Sequence, residues 1–574
     1  MSALAQTAAG RQAVPIAILA ALAIVPLLTR DDYLLGVWTF ILLNIIVVVG
    51  LDVLLGYAGQ LSLGHGAFVA IGAYASALLT TKLGWSGWAA IPVGMMVAAL
   101  VAALIAVPTL RLRGYYLAMA TLGFPILFDA IIRGGSNWSG GSSGVTAIPR
   151  LALGGVVLRD PTAYYYLVLA FLAVVLLLVW NLMESRLGLR LRAIHADEAA
   201  AMARGIHVVR TKIGVFTLSA AIAALGGSLY VHNVQFVAAG TFGLNYSLML
   251  VVMLVAGGMG RIWGGVVGVI VLGWLPELLR DAATWQPVIF GVLLALIMLF
   301  SPSGLAGLVR RRSSFGPRSN NHVSDAPRHR TASGPLLRVS GLRKRFGGVT
   351  AVSDLTFDVA AGEIRSIIGP NGAGKSTALA LVSGALPADA GSVQLAGEEF
   401  AGRPAHERAR AGLGRTFQHA RLIPTLTVFE NIVLGASMLG GSRRDSEGRA
   451  TCVLESLGLG AVAQRFPDEI NHFERRLTEV GSALAARPAL VLLDEPAAGL
   501  SAAEIELLAN VLREERDRGT AIVLVDHIMA LVMPLSDRIL VLDSGAQIAD
   551  GDPSSVTADA RVRSAYLGQG AAHA

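Results

Sequence analysis

Cysteine is nearly absent from this chain of 574 residues, where Cys452 stands alone. One thiol excludes a disulfide scaffold and fits a soluble part kept in a reducing compartment. Charge is scarce as well: Asp, Glu, Lys and Arg make up 15% of the residues against 54% hydrophobic ones. That balance excludes an ordinary soluble enzyme and makes at least part of the chain a membrane protein. Acidic residues are the scarcer sign up to residue 320, with 20 Lys and Arg against 10 Asp and Glu; beyond it the count is 26 against 29. The positive residues of the apolar half sit in short loops between apolar runs. They point to membrane orientation and speak against nucleic acid as a partner.

Spanning a bilayer of about 30 Å takes roughly 20 helical residues. Apolar runs occur near 13–29, 33–55, 61–80, 87–108, 115–132, 163–182, 213–232, 245–279 and 285–301. The opening "RQAVPIAILAALAIVPLLTRDD" has the shape of a secretory signal, but the many spans that follow make it a retained first helix. The 245–279 run would be about 50 Å long as one helix, and Gly257, Gly258 and Gly260 interrupt it. Splitting it gives four crossings between the basic loop 183–212 and the basic exit Arg310, Arg311, Arg312, so both face the cytoplasm. The same rule places Arg111 and Arg113 inside, "GGSNWSGGSSG" outside, Asp31 and Asp32 outside, and Arg11 inside. The expectation is ten crossings with both termini in the cytoplasm, and either 61–80 or 245–257 forming a broken or re-entrant helix.

Polar groups at membrane depth mark a candidate substrate path. "GYAGQLSLGHGAF" carries Gln60, Ser62 and His65 among glycines, and Asp52 is an acid on an otherwise apolar run. The alternatives are tight Gly-rich packing for the first and an interfacial position for the second. The Gly260, Gly264, Gly268 spacing reads as close helix packing. The charged loop 183–212 contains a helix-compatible stretch around Asp197, either a solvated connector or a short cytoplasmic helix that transmits force from a soluble domain.

Residues 313–335 are rich in Ser, Pro, Asn and Arg and read as a disordered tether. They separate a membrane domain, 1–312, from a soluble domain, 336–574. In the latter, strand-like "EIRSIIG", "ALVLLDE" and "TAIVLVD" alternate with helical segments, the pattern of a mostly parallel sheet. "GPNGAGKST" (Gly369, Pro370, Asn371, Gly372, Ala373, Gly374, Lys375, Ser376, Thr377) follows a strand and opens a helix. Its backbone N–H groups wrap phosphates, Lys375 reaches the β/γ oxygens and Ser376 coordinates Mg²⁺. About 120 residues on, "LVLLDEP" supplies Asp494 to hold Mg²⁺ through water and Glu495 to polarise the attacking water.

With these motifs the soluble half resembles an ABC ATPase. Phe346 in "KRFGG" matches the aromatic that stacks on adenine, and Gln418 in "RTFQHARL" matches the Q-loop glutamine at the nucleotide and its Mg²⁺. "AAGLS", ending at Ser501, matches the D-loop, and His527 in "LVDH" the switch histidine. "RTFQHARLIPTLTVFENI", "LLDEPAAGL" and "ADGDPSSVTADARVRSAYLG" are similar to the ATP-binding subunit of Liv-type importers of branched-chain amino acids. "GYAGQLSLGHGAFVAIGAY", "LRLRGYYLAMATLGF", "SRLGLRLRAIHADEAA" and "PELLR" resemble the permease of the same family. The resemblance implies an all-α polytopic membrane domain fused to an α/β P-loop NTPase domain, in a bacterial inner membrane with the ATPase in the cytoplasm. It further implies ATP and Mg²⁺, a second permease, a second ATPase and an extracytoplasmic solute-binding protein. Branched-chain amino acids, urea, amides and aromatic acids are the substrates it suggests. An exporter, or a nucleotide-binding regulatory subunit with little turnover, is the alternative.

The chain departs from the family pattern at two places. Asp52 stands where an asparagine is expected. Twenty residues before Asp494, where the family has a Gly-rich signature loop serving a partner's ATP, lie Ile470, Asn471, His472, Phe473 and Glu474. A ring and an acid replace the glycine and glutamine, and one lost preorganised donor costs on the order of 10²-fold in rate. The expectation is an unlike partner ATPase with an intact signature, and two unequal ATP sites.

Overall fold

The computed structural model describes residues 17–29, 31–109, 115–280, 285–301, 304–308, 316–317, 334–439 and 442–567. The chain forms two compact units, one made of Met1–Glu184 and Val209–Arg311, the other of Ser185–Val208 and Arg312–Ala574. The connector Ser185–Val208 therefore belongs with the soluble part. Arg11, Arg111, Arg113, Arg310, Arg311 and Arg312, on which the expected orientation leans, and nearly all of the expected tether lie outside the described residues.

In the first unit the helix Asp32–Asp52 starts where Asp31 accepts a hydrogen bond from the Tyr33 amide at 2.9 Å. Its run from Ile41 to Asp52 is buried on every side, as an all-round apolar helix must be in the middle of a bundle. It widens into a π turn, Val53–Tyr57. A Cβ on Gly56 would stand 1.9 Å from Asp52 Oδ1 and 2.2 Å from the Gly260 amide, so only glycine fits where these two stretches touch. The chain is then non-helical over 58–64 before the helix His65–Lys82, which is itself continuous.

Four described helices are long and apolar enough to cross a membrane: Asp32–Tyr57, Gly87–Thr109, Pro161–Met183 and Val208–Val234. A fifth span results if Leu244–Gly257 and Ile262–Leu278, which meet at 117°, count as one. The expected split of 245–279 is thus a sharp break. Gly264 and Gly268 lie against Gly257 across it, where added Cβ atoms would overlap backbone. The halves have 14 and 17 residues, about 21 and 25 Å, each short of the hydrocarbon thickness.

In the second unit a ten-stranded sheet runs, edge to edge, Glu398–Glu399, Ala390–Leu395, Leu337–Phe346, Val349–Val359, Ala546–Gly551, Arg538–Asp543, Ile364–Ile368, Ala521–Val525, Leu490–Asp494, Leu413–Arg415. The last five are mutually parallel, and the other neighbours pair antiparallel except for one bridge between Ala546 and Ser353. The sheet is mixed, which corrects the expected mostly parallel one. The reason is local: Gly347 and Gly348 join Leu337–Phe346 to Val349–Val359 by a hairpin, far too short for a parallel crossover. Ile364–Ile368, Leu490–Asp494 and Ala521–Val525 are buried throughout, as strands covered on both faces are.

Candidate functional site

The C-terminal ends of the parallel strands lie at one sheet edge, the usual place for a ligand site in an open α/β sheet. Ile364–Ile368 delivers the loop 369–374, Leu490–Asp494 delivers Asp494 and Glu495, Ala521–Val525 delivers Asp526 and His527, and Leu413–Arg415 leads to Gln418.

Gly369 has φ +153°, and a Cβ there would stand 2.1 Å from the Leu542 carbonyl oxygen. Pro370 accepts from the Ala373 amide at 3.2 Å, closing the loop. Asn371 and Gly372 are exposed, Ala373 is buried, and Gly374 caps the helix Lys375–Val382 in a left-handed conformation. Lys375 curls back over the loop, donating from Nζ to the carbonyls of Gly369 and Pro370 at 2.8 and 2.9 Å. Burial holds its ammonium below the ordinary lysine range, against the pull of Glu495 and Asp494. Ser376 Oγ donates to Asp494 Oδ1 at 3.5 Å. Thr377, one residue on, is half-buried.

Burial pushes the Asp494 carboxyl up, and Arg415 pulls it back. Glu495 follows with φ +47°, a left-handed position that its N–H bond to the Val525 carbonyl, at 2.7 Å, helps to fix. Its carboxylate accepts from Gln418 Nε2 at 3.1 Å and lies 3.8 Å from His527 Nδ1. Asp526 is wholly buried and takes three backbone N–H bonds, from Ala497, His527 and Ile528. It orients the chain on which His527 stands. Phe346 is half-exposed, with Lys344 Nζ 5.6 Å from its ring centroid. Gln418, Glu495 and His527 are thus brought together, as are Lys375, Ser376 and Asp494.

The structure also shows residues that spacing does not reveal. Buried Glu479 accepts from the amides of Phe417 and Arg421 at 3.3 and 3.0 Å, and Arg476 donates to the carbonyls of Phe417 and Gln418. Burial raises the Glu479 carboxyl, opposed by the Arg421 amide, Arg204 and Arg476. Arg421 in turn reaches Asp197 Oδ2 at 2.8 Å. Arg204 donates to Ser482 Oγ at 3.0 Å and to the Arg421 carbonyl at 3.1 Å. Leu189, Ile194, Ile206 and Val208 join the core that also holds Ile423, Leu426, Phe429 and Ile432. The connector helices Arg186–Ala196 and Glu198–Ala203 are therefore seated on the segment that carries Gln418.

The degenerate signature forms a reciprocal cap on the helix His472–Leu484. Asn471 Oδ1 accepts from the Glu474 amide at 2.8 Å, and the Glu474 carboxylate accepts from the Asn471 amide at 2.9 Å. His472 Nε2 pairs with the Ala498 carbonyl at 3.0 Å. Phe473 packs against the core, and Ile470 is buried in it. The ring is therefore partly buried and does not stand free at the helix tip. Ser501 caps the helix Ala502–Asp517 in the same reciprocal way with Glu504.

In the membrane unit Asp52 accepts from the Gly260 amide at 2.7 Å, so one oxygen ties the central helix to the break at 257–261. Gln60 donates to the Lys212 carbonyl at 3.4 Å. The remaining oxygens of Asp52 and Gln60, the Ser62 hydroxyl and both His65 nitrogens are buried without partners among the described residues.

The family described as "Branched-chain amino acid transport system / permease component" matches residues 33–302, "ABC transporter" matches 352–498, and "Branched-chain amino acid ATP-binding cassette transporter" matches 546–572. The chain is 36% identical over 253 residues to the high-affinity branched-chain amino acid transport ATP-binding protein BraF of Pseudomonas aeruginosa, covering 41% of this chain and 99% of that one. To LivG of Escherichia coli K12, another such ATP-binding protein, it is 37% identical over 253 residues, with the same coverage. To the permease protein LivM of Salmonella typhimurium it is 33% identical over 295 residues, covering 47% of this chain and 69% of that one.

Proposed function

The chain belongs to the Liv-type, branched-chain amino acid family of ABC transporters, with permease and ATP-binding parts fused, and on that premise we propose that it is one half of an ATP-driven importer. The ATP-binding part hydrolyses ATP to drive transport. The solutes are branched-chain amino acids or related small polar compounds such as urea, amides and aromatic acids. The half-transporter works with a second permease, a second and unlike ATPase, and an extracytoplasmic solute-binding protein. It sits in a bacterial inner membrane with the ATPase in the cytoplasm, a permease domain of ten crossings over 1–312, a tether over 313–335 and the ATPase over 336–574.

Loop 369–377 cradles the triphosphate with backbone N–H groups, Lys375 turns from its loop carbonyls to the β/γ oxygens, and Phe346 stacks on adenine. Ser376, Asp494 and Gln418 offer hydroxyl, carboxylate and amide oxygens, the hard donors Mg²⁺ takes, and Ser376 and Asp494 already lie within 3.5 Å. The ion would neutralise charge on the β- and γ-phosphates. Glu495 orients and polarises the attacking water, Gln418 reports the γ-phosphate by leaving or joining Glu495, and His527 contacts the γ-phosphate. Asp52, Gln60, Ser62 and His65 line the substrate path.

The observation that carries the reading is that one short segment carries both Gln418, bonded to Glu495, and, three residues on, Arg421, bonded to Asp197 and Arg204. It gives a nucleotide-driven shift at Gln418 a solid route into the connector that leads to the membrane helices. The signature helix satisfies its first amide with Glu474, so the site it completes on the partner turns over slowly, whereas this chain's site, closed by the partner's intact signature, is the fast one. Reconstitution of the assembled complex in vesicles tests the reading: ATP-dependent uptake of leucine, isoleucine or valine is expected, and ATP-dependent efflux, or nucleotide binding without turnover, would reject it.

A further inference from the structure

The parallel strands also have N-terminal ends, and a cavity of about 290 Å³ lies there. Pro488, two residues before Leu490–Asp494, and Thr520, directly before Ala521–Val525, both line it, which puts it at the sheet edge opposite the loop 369–377. Five residues of strand, roughly 16 Å, separate the two edges. The volume is close to the roughly 300 Å³ at which small-molecule sites begin. Three elements wall the cavity: one face of the helix Arg443–Ser456, where Arg449, Val453 and Ser456 recur at helical spacing, the end of His472–Leu484, and the end of Ala502–Asp517.

The charge on these walls is unbalanced. Arg449, Arg487 and Arg518 face one acid, Glu515, which Arg518 binds. Helix C-termini attract cations, yet here the last carbonyls have amide donors. Leu457 and Leu459 donate to the carbonyls of Val453 and Leu454 at 3.1 and 3.0 Å, Arg487 to Leu484 at 2.7 Å, and Arg518 and Thr520 to Glu514 and Glu515, each at 3.1 Å. Backbone amides, not guanidiniums, close these three ends. Arg449 is braced by the Ala436 carbonyl at 3.0 Å. Arg487 stands at φ +46°, where residues other than Gly, Asn and Asp are rare, and strain of this kind gathers at functional positions. The rest of the wall is apolar, from Val453, Leu484, Ala485 and Pro488, and no aromatic ring is among the described residues that line it. A nucleotide base would find nothing to stack on.

We infer that this cavity binds a small aliphatic dianion, a dicarboxylate or a phosphate monoester, at a site separate from that of ATP. Arg449 and Arg487 take the anionic oxygens as planar forks, the Thr520 hydroxyl adds a hydrogen bond, and the carbon chain lies along Val453, Leu484 and Pro488. Three arginines against one glutamate leave an excess of two positive charges, which a dianion cancels and a monoanion does not. An occupant bridges the far ends of the helices that start at the signature and at Ser501.

Cys452 sits in the same wall and is the single thiol of the chain, so the full wild-type protein in membranes carries its own reporter. Its alkylation by a neutral maleimide is expected to be slowed by glutarate or by propyl phosphate, and to be unchanged by equal concentrations of butyrate or inorganic phosphate. The dianion that protects at the lower concentration identifies the head group. Arg487→Gln removes a charge without relieving the strained position, and is expected to raise the half-protecting concentration at least about tenfold. Glu515→Gln is expected to lower it, a change of opposite sign that a loosened fold does not give. Protection by neither dianion, equal protection by butyrate or inorganic phosphate, or variants that fail to shift in opposite directions overturns the site. None of these readouts requires transport, so their failure leaves the importer reading standing.

Discussion

Arg421 Nη1 lies 2.8 Å from Asp197 Oδ2, an ion pair that joins the segment following Gln418 to the connector 185–208. Both side chains are partly exposed, so the pair adds little to stability, under about 1 kcal/mol. Its weight lies in transmission. Asp197→Asn is expected to leave the melting temperature of the chain nearly unchanged and to lower solute moved per ATP hydrolysed, by about 2- to 30-fold for a coupling of this kind. Simultaneous measurement of uptake and phosphate release in vesicles checks it; a variant whose two rates fall together would place Asp197 in turnover instead.

Glu495 is held by Gln418 and by its left-handed backbone in front of the loop that carries Lys375. Glu495→Gln keeps size and the hydrogen bond to Gln418 while removing the base. ATP turnover of the assembled complex is expected to drop about 10²- to 10⁴-fold, whereas the equivalent change in the partner ATPase is expected to cost little if, as proposed, that site is the slow one. Equal losses in the two single variants would argue for equal sites.

The alkaline limb of nucleotide binding follows from Lys375. Burial lowers its pKa, so it loses its proton below the 10.5 of an ordinary lysine. A depressed value means that the fold favours the neutral form: the stability this group contributes is present above the ordinary value and is lost as pH falls through the lowered one. Binding of triphosphate runs the other way and draws the proton back. ATP affinity is expected to fall as pH rises toward 10.5, and binding near the lowered value to take up protons. Calorimetry at several pH values below that of an ordinary lysine, in two buffers of different ionisation enthalpy, reads that uptake, and the same heat in both buffers at every pH would refute it.

The loop 369–377, Asp494, Glu495 and His527 were legible in the sequence because each sits at the end of a short apolar strand, and local order alone brings them to one sheet edge. Glu479, Arg476 and Asp526 were not. Glu479 and Arg476 act on Phe417, Gln418 and Arg421 across about sixty residues of chain, a pairing that no periodicity encodes. Asp526 stands beside His527, but its role is to accept three amides, which only the fold supplies. The hairpin at Gly347 and Gly348 makes the sheet mixed, and a two-glycine turn is a local signal that strand–helix alternation does not carry. In the membrane half hydropathy found the helices and the break at 257–261. It does not tell whether a helix of 14 residues crosses on its own, because composition is blind to where a neighbouring helix supplies the missing cover.

Gly56 shows how tightly that break is held. Its missing Cβ leaves room for both Asp52 Oδ1 and the Gly260 amide, which bond to each other at 2.7 Å. Gly56→Ala is expected to separate them and to cost about 1–3 kcal/mol or more through overpacking, with the buried carboxylate losing its donor besides. Thermal unfolding of the detergent-solubilised chain checks the loss. Asp52→Asn tests the polar part alone: an amide oxygen still accepts from Gly260, so this variant should stay close to wild-type stability, and a large fall would mean that the charge itself is needed.

The reciprocal cap between Asn471 and Glu474 makes a sharper prediction about the partner's site. Glu474→Gln retains an oxygen that can accept from the Asn471 amide, so the helix keeps its cap, while the acid that would face a partner's triphosphate is gone. Turnover at the reciprocal site is expected to rise modestly with this change alone, since repulsion is relieved but backbone access is not. Adding Phe473→Gly opens that access and should bring the gain to about 10²-fold. It also strips a ring from the core on which Phe473 packs, so the double variant is read at low temperature. Single-turnover measurements in complexes whose other site carries Glu495→Gln isolate the effect. If turnover there stays flat in both variants, Phe473 and Glu474 are not what limits the reciprocal site, and the inequality of the two sites lies with the partner chain.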